Sequence, residues 1–226
     1  LTLFSLAFVL LVTPSPALAG DAVYNPPLEV LMADIMKSDP SPSTVDQVFW
    51  FPTEFWQFAM MGNPDVSPSQ AEQLVGVLEP YTMFAVIEGD MGPMGAVRFH
   101  PEADVRAGLS LRLPNGETVR PLPNNEVAGD AVMLVNVMKP MFSAMLGPTG
   151  EHLEFFFFAN RDAKGKPIID PRSNASFTVN VGETPYVWQL PLESLFEPQP
   201  CGKCARMMKG TWSYCPYDGT PAPKRR

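Results

Sequence analysis

Apolar positions change their period twice along this chain, dividing it into a helical first third, a strand-rich middle and a polar, cysteine-bearing tail. Leu28, Leu31, Met32 and Ile35 recur at helical spacing, which predicts a helix over Leu28 to Lys37. In Ser67-Pro68-Ser69-Gln70 a hydroxyl stands at a cap, proline in the first turn and glutamine three residues after the cap. Ala71, Leu74, Val75 and Leu78 then share one face, so a short amphipathic helix is expected to start there and stop before Pro80. From Tyr81 the pattern becomes that of strands. Tyr81 to Ile87 is a β-rich run, and Leu109 to Leu113 alternates before Asn115-Gly116, a strong hairpin signal, with a returning strand around Val119. Leu153 to Ala159, built around four phenylalanines, reads as a strand buried on both faces. Phe177 to Val181 alternates again, and Tyr186 to Leu190 closes the series. Asp130 to Gly147 is apolar at helical spacing but broken by Pro140, which suggests a strand followed by a short helix from Lys139-Pro140. Phe49 to Phe58 packs six aromatics into ten residues, expected as core where the helices meet the sheet, or as a groove for a sugar or apolar ligand with Glu54 as its polar handle.

Residues 1 to 12 form an uncharged apolar run, followed by Pro14, Pro16 and Ala17-Leu18-Ala19-Gly20. This is the pattern of a secretory signal peptide spanning 1–19 and cut after Ala19, because the run falls short of the ~20 residues that cross a bilayer. An uncleaved anchor or a buried N-terminal helix is the alternative. No later run reads as membrane-spanning, so the expected mature protein is periplasmic or secreted, without a transmembrane segment after cleavage.

Charge is uneven. Residues 20–198 carry 23 acidic and 10 basic side chains, whereas residues 199–226 carry one acidic and six basic. An acidic body repels nucleic acid, which needs clustered Lys and Arg to displace counterions. The partner is expected instead to be a protein or another envelope component, with the basic tail free to dock on its own body. With 26 prolines and 16 glycines punctuating the chain, short strands and turns are favoured over long helices.

All three cysteines lie in the tail, as Cys201-Gly202-Lys203-Cys204 and then Cys215-Pro216-Tyr217-Asp218-Gly219. Two thiols at this spacing can hold one tetrahedral ion from a tight turn, and a second turn can close the site. The tail resembles the facing knuckles of a zinc ribbon. The resemblance implies Cys201, Cys204 and Cys215 as zinc ligands, with Asp218 where the fourth cysteine of that family stands. A knuckle that has lost its metal or a Cys–Cys disulfide is the alternative, and a catalytic dithiol is disfavoured because the βαβ unit that carries such a motif is missing.

Other motifs carry less. His100-Pro101-Glu102 together with Pro200-Cys201-Gly202-Lys203-Cys204 matches both halves of the zinc deaminase signature, but about a hundred strand-rich residues separate them. His152-Leu153-Glu154 repeats the first half by chance. No serine-hydrolase elbow, phosphate loop or dinucleotide fingerprint occurs. Glu54, Glu88, Asp90, Glu102 and Asp104 could still converge into a carboxylate site of a secreted enzyme. Thirteen methionines, among them Met91, Met94, Met138 and Met141, serve as adaptable core fillers or, in a periplasmic copper or redox handler, as thioether ligands. The expected fold is α+β, with short N-terminal helices before an antiparallel, sandwich-like body (20–198) and a zinc-ribbon-like appendage (199–226). The expected role is that of a structural or binding module.

Overall fold

The computed structural model describes residues 24–41, 43–61 and 66–222; the leader read from the sequence lies outside them. In chain order the elements begin with α1 (Leu28–Ile35), β1 (Met36–Ser38), β2 (Gln47–Phe51), α2 (Thr53–Met61), α3 (Pro68–Leu78) and β3 (Tyr81–Ile87). There follow β4 (Gly89–Met91), β5 (Val97–Phe99), α4 (Glu102–Gly108), β6 (Ser110–Arg112), β7 (Thr118–Val119), α5 (Gly129–Leu146) and β8 (Glu154–Ala159). The series ends with β9 (Ser176–Val181), β10 (Thr184–Gln189), β11 (Gln199–Pro200) and β12 (Met207–Met208).

Two antiparallel four-stranded sheets, ordered β1-β2-β3-β8 and β10-β9-β6-β7, make an α+β fold. Alternation along β2 and β3 explains the layering, because successive side chains face opposite ways. Trp50 and Phe84 turn toward the second sheet, where Trp50 meets Phe177 edge-on at 4.7 Å and Phe84 lies 6.1 Å from Trp188. Phe51 turns the other way and contacts Phe55 and Trp56 of α2 and Phe142 of α5 at 4.8, 5.3 and 5.2 Å. The order is therefore sheet, sheet, helices. The first sheet is covered on both faces, which is why β8 carries Phe156, Phe157 and Phe158 all buried. The second alternates buried Phe177, Val179 and Val181 with more exposed positions.

The capping box of α3 forms as read: the Ser67 hydroxyl accepts from the Gln70 amide at 3.4 Å while the Gln70 side chain accepts from the Ser67 amide at 2.9 Å. Gly116 turns the β6–β7 hairpin at φ 87°, a conformation that favours glycine. The segment expected as strand plus short helix is instead one 18-residue helix, α5, with Pro140 in its interior. Ala131, Val135, Met138 and Phe142 form its buried face, and this packing overrides the proline. The hydrogen bond that proline cannot donate to the Asn136 carbonyl is lost on the exposed side, where water can serve. Gly129–His152 is also long and apolar enough, by length and composition alone, to span a bilayer, a feature the sequence reading placed nowhere after the leader.

Candidate metal centre

The tail has its own small core of Cys201, Met208 and Cys215, with Cys204 and Trp212 packed against it. Its two turns are built alike. In the first, the Cys201 amide donates to the Arg206 carbonyl at 2.8 Å, and the Ala205 amide donates back to the Cys201 carbonyl at 3.0 Å. In the second, the Cys215 amide donates to Thr220 at 2.7 Å and the Gly219 amide to Cys215 at 2.9 Å. Ala205 and Gly219 occupy the same left-handed conformation, at φ 57° and 72°. Asp218 therefore holds in the second turn the place that Cys204 holds in the first. Pairing of β11 with β12 closes the base of the first turn and the Tyr214–Pro221 bridge that of the second, while the Arg206 guanidinium, 4.4 Å from the centre of the Tyr217 ring, links the two.

The ligating atoms of Cys201, Cys204, Cys215 and Asp218 all lie within 4.8 Å of one another, so these residues could hold a metal ion. The Asp218 carboxylate stands 3.6 Å from the Cys201 sulfur, and the Cys204 and Cys215 sulfurs are 3.6 Å apart. All three thiols are free. The ionisation of the cluster is unequal. Amide N–H groups of Cys204 and Lys203 pull Cys201 below the ordinary thiol range, and the Thr220 amide holds Asp218 well below the usual carboxylate range. Cys204 has the Arg206 amide pulling it down, yet burial and its neighbours Asp218, Cys201 and Cys215 push it up to about 11. Four converging groups that cannot all ionise at once are what a cation relieves, by displacing the remaining thiol protons.

The tail also touches the body. Lys209 Nζ reaches Glu193 at 2.6 Å, and a Cβ at Gly210 would stand 2.6 Å from the backbone oxygens of Phe196 and Glu197.

The remaining candidate residues separate. His100 does not approach the cysteines: its Nε2 lies 3.1 Å from Asp90 and its Nδ1 3.5 Å from Glu88. Those carboxylates, first Asp90, raise the pKa of His100 above its usual value. Burial raises Glu88 and Asp46 above the ordinary carboxylate range and drives the Tyr186 phenol far above its own. Nothing in the sequence singles out Asp46 and Tyr186; only the tertiary fold brings Asp46 near His100 and Tyr186 near Asp46 and Glu88. Glu102 binds Arg106 at 2.7 Å, one turn on, and the His152 ring stacks on Phe99 at 3.7 Å. Met138 is buried while Met141, one turn on, is exposed. Of the five carboxylates singled out, Glu88 and Asp90 meet at His100, and Glu54 lines a cavity.

No family model, curated protein or solved structure matches the chain.

Proposed function

We propose that the tail is a structural zinc centre with Cys201, Cys204, Cys215 and Asp218 as its four ligands. The protein is then an exported structural or binding module of the periplasm or extracellular space, with a body over 20–198 and a zinc-stapled appendage over 199–226. The observation that carries the reading is the matched backbone of the two turns, which presents Asp218 where the first turn presents Cys204. Three thiolates and a carboxylate form a borderline-soft set suited to zinc, and four protein ligands leave no open position for a substrate. That argues for a structural role rather than a catalytic one. A tail with Met208 and two cysteines as its buried core buries too little apolar surface to order itself, and structural zinc contributes ~10 kcal/mol or more to such folding. In an oxidising compartment the ion would also hold Cys204 and Cys215 apart as thiolates, although their sulfurs are near enough to react.

Protein purified without added metal should contain one zinc per chain and three titratable thiols once denatured. Cys215→Ser should abolish the zinc, because two thiolates of one turn leave the ion half open, whereas Asp218→Cys should retain it at least as well. Substoichiometric zinc together with a disulfide between any two of the cysteines would overturn the proposal.

A further inference from the structure

A cavity of about 200 Å³ opens where β2 runs into α2, lined by Trp50, Glu54, Thr82, Ile169, Asp170 and a set of prolines. It lies in the body, apart from the cysteine tail. Its walls are mixed: Trp50, Ile169 and the prolines supply an apolar part, and Thr53, Asn160 and the Glu79–Arg161 pair a polar one. Glu54, half-buried in the first turn of α2, is the polar group that stands out. Among the described residues no side chain donates a hydrogen bond to its carboxylate; its own backbone amide is the donor it has, and the Arg172 charge acts on it without forming an ion pair. Burial accordingly raises its pKa above the ordinary carboxylate range. Asp170 adds a second carboxylate, which accepts from the Arg172 backbone amide at 2.9 Å.

The two nearest cations, Arg161 in the cavity wall and Arg172, make their hydrogen bonds to other groups. Arg161 pairs with Glu79 and donates to the Gly165 carbonyl at 2.9 Å. Arg172 donates to the Leu195 carbonyl at 3.1 Å and covers the Phe196 ring. The other N–H donors around the cavity are engaged too: Trp50 donates to the Thr82 hydroxyl at 3.0 Å and Asn160 to the Glu79 carbonyl at 2.9 Å.

We infer that this cavity binds a small organic cation, an alkylammonium head on a short apolar stem, with Glu54 as its counter-ion and Asp170 as a second acceptor. An anion would meet two carboxylates, neither of them in an ion pair. An ammonium with an apolar stem matches both the carboxylate oxygens and the apolar part of the wall. The volume lies below the ~300 Å³ at which drug-sized sites begin, so the ligand is the size of a single short amine or of one lysine side chain. Binding requires ionised Glu54, so affinity should fall as pH drops through the raised pKa of the empty site.

The test is calorimetry of the full chain with butylammonium, butanol and butyrate, followed by a peptide with one internal lysine and by 1,5-diaminopentane. Butylammonium should bind, with butanol and butyrate at least tenfold weaker. Glu54→Gln, with its melting temperature checked, should weaken butylammonium at least tenfold. Tighter binding of the peptide would identify a lysine side chain as the ligand, and tighter binding of the diamine a free amine. As a check independent of any variant, NMR titration of the wild-type Glu54 carboxyl should show its midpoint falling when butylammonium is present. Absence of binding at 10 mM, equal affinity for butanol, or an unmoved Glu54 midpoint would overturn the inference.

Discussion

Phe51→Ala removes the ring on which β2, α2, α5 and β8 converge. Phe51 is 1% exposed, and its ring lies within 4.8 to 6.2 Å of those of Phe49, Phe55, Trp56, Phe142 and Phe155. Truncating a buried phenylalanine costs ~3–5 kcal/mol, and aromatic pairs add ~0.5–1.5 kcal/mol each beyond burial, so the expected loss is at the top of that range, about 5 kcal/mol. Against a total stability of ~5–15 kcal/mol this removes a third or more. For a chain of this size, where 1 kcal/mol shifts the midpoint by ~2–4 °C, melting should drop by ~10–20 °C. Phe51→Leu keeps most of the volume and should cost only about 1.5 kcal/mol. Urea denaturation followed by far-UV circular dichroism measures both, with Met207→Ala as a surface control because Met207 is 60% exposed. A loss below about 2 kcal/mol for Phe51→Ala, or one no larger than for Met207→Ala, would refute the view that this ring joins the helices to the sheet.

Two further outcomes are expected. The cluster at His100, where Glu88, Asp90 and Asp46 converge beside Arg98, should make the protein more stable in mild acid than at neutral pH. His100, Glu88 and Asp46 all have raised folded pKa values, so their contributions are full below the unfolded values and are lost as pH rises through the folded ones. Asp90, held low by Arg98, works the other way only in stronger acid, below its ordinary range. Thermal melts at constant ionic strength should show the wild type losing stability from pH 6 to 8 relative to His100→Gln; parallel curves would dismiss the idea. At Gly210 an added Cβ meets backbone at 2.6 Å, so Gly210→Ala should lift the tail from the body at a cost of ~1–3 kcal/mol. Trypsin cleavage at Lys209 should then speed up about tenfold while zinc content is kept, and an unchanged rate would show that the tail is not held there.

Local chemistry was legible in the sequence wherever one short segment decides the outcome. The Ser67-Pro68-Ser69-Gln70 cap, the Asn115-Gly116 hairpin and the two cysteine turns are each closed by hydrogen bonds within a few residues, so composition and spacing suffice. Pro140 shows the limit. Its local preference against a helix interior was read correctly, but burial of Ala131, Val135, Met138 and Phe142 on the sheet outweighs it, and burial is a property of the packed chain. The short strands β1, β4 and β5 and the helix α4 are not legible because too few residues carry their period, and α2 is hidden inside the aromatic run of Phe49 to Phe58. The aromatic run from Phe49 to Phe58 divides in the same way: its apolar character announced a core, while only the fold turned Trp50 toward one layer and Phe51 toward another. The Glu54 cavity and the group around His100 are assembled from residues up to about a hundred and forty positions apart in the chain. The four side chains that could hold a metal stand out in the sequence because they lie within eighteen residues, in two turns closed by local hydrogen bonds. Carboxylates brought together by pairing of distant strands leave no such spacing, and tertiary structure alone could select them.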